Sequence, residues 1–266
     1  MPCARHTGEQ REILHTGMGP TGALAGEPGR YRCTVATSTL PAGQLTARRT
    51  TIAMKMVMAV SGALFVLYVL MHMYGNLKLF GGQEAYEEYA HHLRTLGEPI
   101  LPFSGFLWLF RSLLIVAVIA HVYSAFYLWS RAQSARTTRY QVKKAAASTL
   151  SSRTMRWGGV ALLLFVIFHL LQFTANAIQV NGIHSSGYLR VVSSFQVWWV
   201  VLIYVLAMIA LAMHIRHGIW SASQTLGWTS TAGARRRANL LGIGIAAVVA
   251  VGFLLPPLSI LLGLIK

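Results

Sequence analysis

The sequence predicts an all-α integral membrane protein, a bundle of five transmembrane helices with its N-terminus in the cytoplasm and its C-terminus outside. Three observations carry this. Of 266 residues, 55% are hydrophobic and only 11% charged, whereas a soluble domain carries about a quarter charged. Five windows of about 20 apolar residues, the length that crosses a hydrocarbon core of roughly 30 Å, fall near 54–75, 105–130, 157–180, 195–219 and 239–263. The charges then alternate with the spans. Arg48, Arg49 and Lys55 lead into the first, Arg131, Arg136, Arg139, Lys143, Lys144, Arg153 and Arg156 follow the second, and Arg235, Arg236 and Arg237 follow the fourth. The connection between spans three and four has only Arg190, and Glu84, Glu87, Glu88 and Glu98 all fall between spans one and two. This is the positive-inside pattern. The net charge of +16 is therefore topology, and no nucleic-acid partner is expected; the partner implied directly is membrane lipid.

Along the chain, residues 1–47 are Gly-, Thr-, Ala- and Arg-rich and aperiodic, without the compact apolar core of a cleaved signal peptide. They are expected to be a disordered cytoplasmic tail, or the product of a start codon placed too far upstream, with residues 48–266 forming the bundle domain. Cys3 and Cys33 both lie in this tail without metal-type spacing. The first span ends at Gly75-Asn76, poor helix residues suited to an exit. The loop beyond it places Tyr86, Tyr89, Ala90 and Leu93 at helical spacing, predicting a short amphipathic helix on the membrane surface. Gly97, Pro99 and Pro102 end it before span two. Trp108, Trp129, Trp157, Trp198, Trp199 and Trp220 lie near predicted span ends, as an aromatic belt requires. Span five is bland, without histidine or internal charge, and is expected to pack against the other four and lipid.

Ionisable groups inside spans are costly and point to function. His72, His121, His169, His214 and His217 lie within spans, and each of the first four spans has at least one. A single buried histidine is often a hydrogen-bonded core residue; one on each of four helices is harder to dismiss. Because successive spans run in opposite directions, the rise of about 1.5 Å per residue puts His72 and His169 toward the outer leaflet and His121 and His214 toward the inner. Pairs at two depths suit haem irons each held by two imidazoles, six-coordinate electron carriers with no open position. A proton relay and a metal site remain alternatives, although a relay normally recruits carboxylates and a zinc or copper site needs ligands converging at one depth. His217, one turn beyond His214, together with Arg111 and Arg216, is a candidate contact for haem propionates or a partner protein; the two arginines equally suit snorkelling.

The runs "SSRTMRWGGVALLLFVIFHLLQF" at 151–173 and "HIRHGIWSASQTLG" at 214–227 resemble the cytochrome b membrane subunit of succinate:quinone oxidoreductases (succinate dehydrogenases) of the single-chain, five-helix type. "HMYGNLKLFGGQEAYEEYAHHLRTLGEP" at 72–99 resembles the actinobacterial branch of that family. The resemblance covers about residues 50–264. It implies an anchor in the bacterial plasma membrane for a flavoprotein and an iron–sulfur subunit, passing electrons to a quinone, menaquinone in this branch. Carried over from the diheme members, His72 and His169 would ligate the distal haem b, and His121 and His214 the proximal one. A haem-free anchor is one rival. A Rieske-type iron–sulfur centre is another, but it needs two cysteines and the spans have none. Candidate quinone contacts are the polar groups near the boundaries: Tyr74, Asn76, Glu98, Gln172 and Asn176 on the outer side, Ser221 and Gln224 on the inner. Glu98 could exchange the proton that quinone chemistry requires.

Overall fold

The structure, a computed structural model, describes residues 42–134, 150–183 and 185–266, and the side chains among them from Thr50 onward apart from 150–153. The expected tail lies almost wholly outside the described residues, with Cys3 and Cys33. So do His184 and the basic residues Arg136, Arg139, Lys143 and Lys144. The described elements are all helical: α1 (Ala42–Leu77), a 3₁₀ turn (Lys78–Gly81), α2 (Gly82–Thr95), α3 (Gly105–Ser134), α4 (Leu150–Phe173), α5 (Gly187–Phe195), α6 (Trp198–Thr225) and α7 (Ala232–Leu261). Residues Ala47–Lys266 form one compact unit. Five helical segments are long and apolar enough to cross a membrane, so this is a multi-pass membrane protein built on α1, α3, α4, α6 and α7.

Boundaries differ from those the hydropathy pattern predicts, for identifiable reasons. The third span was expected at 157–180, but α4 starts at Leu150 and stops at Phe173. Asn176 and Asn181 then take positive φ of 53° and 59°, a conformation Asn tolerates better than most residues. The fourth was expected at 195–219; an additional helix, α5, precedes α6, which runs to Thr225. Val197 in extended conformation separates them, a break that the mostly apolar stretch "VVSSFQVWWVV" does not mark. Helix α7 begins at Ala232 instead of 239, where Thr231 Oγ1 accepts from Ala234 N–H at 3.1 Å, and it continues through Pro256 and Pro257, as membrane helices allow. The surface helix predicted in the first loop is α2. It carries Glu84, Glu87, Glu88, His91, His92 and Arg94 within 14 residues, too polar for hydrocarbon.

Helix α6 is the hub. Its Val200, Val201, Tyr204, Ala207, Met208 and Ile215 are buried, and its close backbone neighbours among the spans are α4 and α7. At Gly242 of α7 a Cβ would stand 3.1 Å from the Arg216 carbonyl oxygen, so glycine permits the α6–α7 approach. Ile215, Ala246 and Val249 form a core there with Val66, Val69 and Leu70 of α1 packed against it. The opposite faces, with Val60, Leu109, Ile119, Leu164 and Val251 all exposed, present apolar side chains to lipid.

The ends of the bundle differ. One carries Arg131, Arg156 and Arg235–237 and is called here the basic end. The other is covered by α2 and α5, the lid end. Ser186 caps α5 by accepting from Leu189 N–H at 3.4 Å, and its hydroxyl donates to Glu87 Oε1 at 2.6 Å. Tyr188 N–H donates to the same oxygen at 3.1 Å, and the Tyr86 and Tyr188 rings meet edge-to-face at 6.1 Å. These bonds, the Ser186 hydroxyl foremost, hold the Glu87 carboxyl below its ordinary value of 4.5. Because the folded carboxyl is the more acidic, its contribution is complete above pH 4.5 and is lost as pH falls further. Thermal unfolding of the detergent-solubilised chain should therefore drop as pH is lowered through this window, and Glu87→Gln should flatten that drop; an unchanged profile would exclude the contact as a stabilising one.

Candidate functional site

The bundle brings four of the five intramembrane histidines together in twos. Near the lid end, His72 of α1 and His169 of α4 have ring centroids 5.8 Å apart with planes at 80°. Toward the basic end, His121 of α3 and His214 of α6 are 6.2 Å apart with planes at 52°. A nitrogen about 2 Å from a metal and about 1 Å from its ring centre, on each of two opposed imidazoles, puts the centroids about 6 Å apart. Both separations match that distance, which is also within the ordinary range of ring–ring contacts. No group of three or more His, Cys, Asp or Glu able to hold a metal occurs among the described residues.

One member of each pair has a hydroxyl beside its Nδ1. The Ser61 hydroxyl donates to Val57 O at 2.7 Å and lies 3.0 Å from His121 Nδ1. With its proton engaged, the serine oxygen accepts from Nδ1–H, leaving His121 Nε2 as the bare nitrogen. Tyr204 repeats this on the other pair. Its hydroxyl donates to Gln172 Oε1 at 3.0 Å and stands 3.0 Å from His169 Nδ1. An imidazole with one nitrogen anchored in this way and the other bare is the form a metal takes. His72 is instead packed by a stacked Tyr68 ring at 5.4 Å and by Phe253 at 5.7 Å. His214 Nδ1 is buried with no partner among the described residues.

Two glycines open the basic-end pair. A Cβ at Gly62 would lie 3.5 Å from His121 Cε1, and one at Gly159 would lie 3.6 Å from His214 Cε1. Each glycine stands ten residues before the histidine of its own helix, Gly62 before His72 and Gly159 before His169. On α6, Tyr204, which bonds His169, stands ten residues before His214. Three helices thus give the same offset between the two levels, about 15 Å at 1.5 Å per residue. The pattern Gly-x9-His occurs four times, at 62/72, 81/91, 82/92 and 159/169, so by itself it does not single out these glycines, and Ser61 and Tyr204 carry no mark of this kind.

The remaining candidates are scattered. Arg111 is exposed at the lid end with its guanidinium 5.2 Å from the Trp108 ring, and Arg216 and His217 are half-buried on α6. Tyr74 is 55% exposed, 5.9 Å from the Tyr89 ring, with Lys78 Nζ 5.0 Å from its centroid. Asn76 Nδ2 donates to His72 O at 2.7 Å, an end-of-helix bond. Gln172, one residue from the end of α4, is 1% exposed and faces Tyr204 inside the bundle. Asn176 Oδ1 is buried without a partner among the described residues. Glu98, Ser221 and Gln224 are exposed.

Fold and site together define a multi-pass helical membrane protein with two histidine pairs stacked along the bundle. Residues 130–254 match the family model of the succinate dehydrogenase/fumarate reductase transmembrane subunit, to which this part of the chain is similar. The matched stretch contains His169, His214 and His217; His72 and His121 precede it. No curated protein and no solved structure matches the chain.

Alanine at Gly62 or Gly159 meets only ordinary contact distance and should be tolerated. Leucine there should displace the His121 or His214 ring, at an overpacking cost of about 1–3 kcal/mol, and, if the two pairs each hold a haem, lower the haem content per chain by half in a pyridine haemochrome assay. Full haem content in both leucine variants would exclude the glycines as part of the site.

Proposed function

We propose that this chain is the membrane anchor and electron-transfer subunit of a succinate dehydrogenase, respiratory complex II, relaying electrons from an iron–sulfur subunit through two bis-histidine haems b to a quinone. The observation that carries the reading is the pairing of four spans' histidines at 5.8 and 6.2 Å, each pair with one ring anchored to leave Nε2 bare. The family match over residues 130–254 supports the anchor role. The charge pattern favours a cytoplasmic basic end, where Arg131, Arg156 and Arg235–237 would receive the iron–sulfur subunit, with succinate oxidised on a flavoprotein beyond it. The membrane is then a bacterial plasma membrane and the quinone menaquinone.

A haem bound between two imidazoles supplies a one-electron carrier with no open coordination position. The protein's part is positional. His121 and His214 hold the station nearer the basic end, and His72 and His169 the one nearer the lid. Ser61 and Tyr204 keep a proton on the ring nitrogen facing away from the ligand position. Phe65 against His121, and Phe165, Phe173 and Phe253 around the lid-end pair, exclude water. Quinone is assigned to the lid end, with Tyr74 and Lys78 at the lipid face, the free Asn176 Oδ1 as an acceptor for a quinol hydroxyl, and Glu98 for proton exchange. Arg111, Arg216 and His217 are assigned to propionates or partner contacts.

The test is a reduced-minus-oxidised spectrum of the complex purified through this chain, with its subunits identified. A b-type α band is expected, together with a flavoprotein and an iron–sulfur protein. Replacing His72 or His169 with Ala should remove one haem per chain, and replacing His121 or His214 the other. Absence of any b-type band from the intact complex would overturn the haem reading in favour of a haem-free anchor.

A further inference from the structure

Tyr204 lies ten positions from the nearest histidine of its own helix, yet it is built into the lid-end pair from the side. Its ring sits among Phe165, Phe168, Phe173 and Phe195 at centroid distances of 5.0, 6.5, 6.3 and 4.8 Å, so it cannot swing away. Its hydroxyl donates to Gln172 Oε1 at 3.0 Å and lies 3.0 Å from His169 Nδ1, so that with its proton on Gln172 the oxygen is left to accept from Nδ1–H. Gln172 closes the chain from inside the protein; its own Nε2 has no partner among the described residues. Burying that amide without full satisfaction costs free energy, and a leucine would fill the same apolar space without it. What the amide supplies is an acceptor, and an acceptor for the tyrosine proton is what prevents the hydroxyl from turning to donate to His169.

We infer that Tyr204, held by Gln172, is a positioning residue that fixes the tautomer of His169 and lowers the redox potential of the lid-end centre. The inference rests on the haem reading of the His72–His169 pair. A ligand imidazole whose far N–H donates to an oxygen is a stronger base toward the metal. A more basic ligand stabilises the oxidised iron more than the reduced. Polarisation along the chain adds to this, since a hydroxyl that is itself donating is a better acceptor. At the basic-end pair the equivalent acceptor is Ser61, whose proton goes to a backbone carbonyl of its own helix. The two centres are therefore tuned by separate side chains on separate helices, α6 and α1.

The experiment is a spectroscopically resolved redox titration of the purified complex carrying Tyr204→Phe, which keeps the ring in its aromatic pocket and removes only the hydroxyl. The lid-end midpoint should rise by about the equivalent of a tenfold change in the redox equilibrium, 59 mV for one electron, with the basic-end midpoint unchanged. Ser61→Ala should give the reverse, moving the basic-end midpoint alone. Should Tyr204→Phe fail to retain the lid-end haem, Gln172→Met decides: a smaller upward shift of the same midpoint supports the chain, and no shift overturns it. Two titrating haems in the wild type with no shift in Tyr204→Phe likewise overturn the inference while leaving the haem reading intact. Absence of haem from the wild type removes the reading itself.

Discussion

An imidazole inside a membrane span must find partners for both nitrogens within the protein, because hydrocarbon offers none. The bundle meets that need with a hydroxyl at two of its four paired histidines, while His72 is packed by rings and His214 Nδ1 has no partner among the described residues. Each histidine faces another across an interface between non-consecutive spans, α1 with α4 and α3 with α6. Hydrogen bonds for the ring edges facing away come from side chains on neighbouring helices, Ser61 for His121 and Tyr204 for His169. The result is two levels related by a ten-residue offset that three helices share.

The packing is divided accordingly. α6 lies close to α4 and α7 along its length, through small and β-branched residues and the Gly242 approach. α1 and α3, by contrast, join the bundle largely through side chains: Tyr68 against Phe110 at 5.9 Å, Ser124 Oγ against Met54 Sδ at 3.8 Å, and the histidines themselves. In lipid there is no general hydrophobic force to drive helices together, so such loosely apposed helices depend on specific polar and aromatic contacts. A group ligated between opposed rings would join both of these helices to the α4–α6 pair. Site and fold are in this sense the same set of contacts.

At the lid end the same economy appears in polar form. α2 and α5 lie over the His72–His169 level, and Glu87, Ser186 and the Tyr188 N–H tie them together. Leu79, Tyr188, Val192, Phe195 and Ile260 form a buried cluster beneath, continuous with Tyr204. The lid is therefore not an independent flap; its core is the upper part of the ring cluster that positions His169.

The sequence by itself determined the class: five apolar stretches, the alternation of basic loops, the amphipathic surface helix, and four spans each with a histidine. These are local properties, legible because a membrane imposes one length and one polarity on every crossing. The resemblance extended that reading to a respiratory anchor, and the match of residues 130–254 supports it over the later spans. Only the tertiary structure decided the rest. Span ends moved because hydropathy cannot see a break such as Val197 or a cap such as Thr231 inside or beside an apolar run. Ser61, Tyr204, Gly62 and Gly159 were invisible as site residues because a small or aromatic residue in a span looks the same whether it faces lipid or a histidine. Gln172 lies at the end of α4 as its place in the sequence suggests, but its inward facing is set by neighbouring helices. Contacts between helices, not the composition of any one, choose which nitrogen is bare.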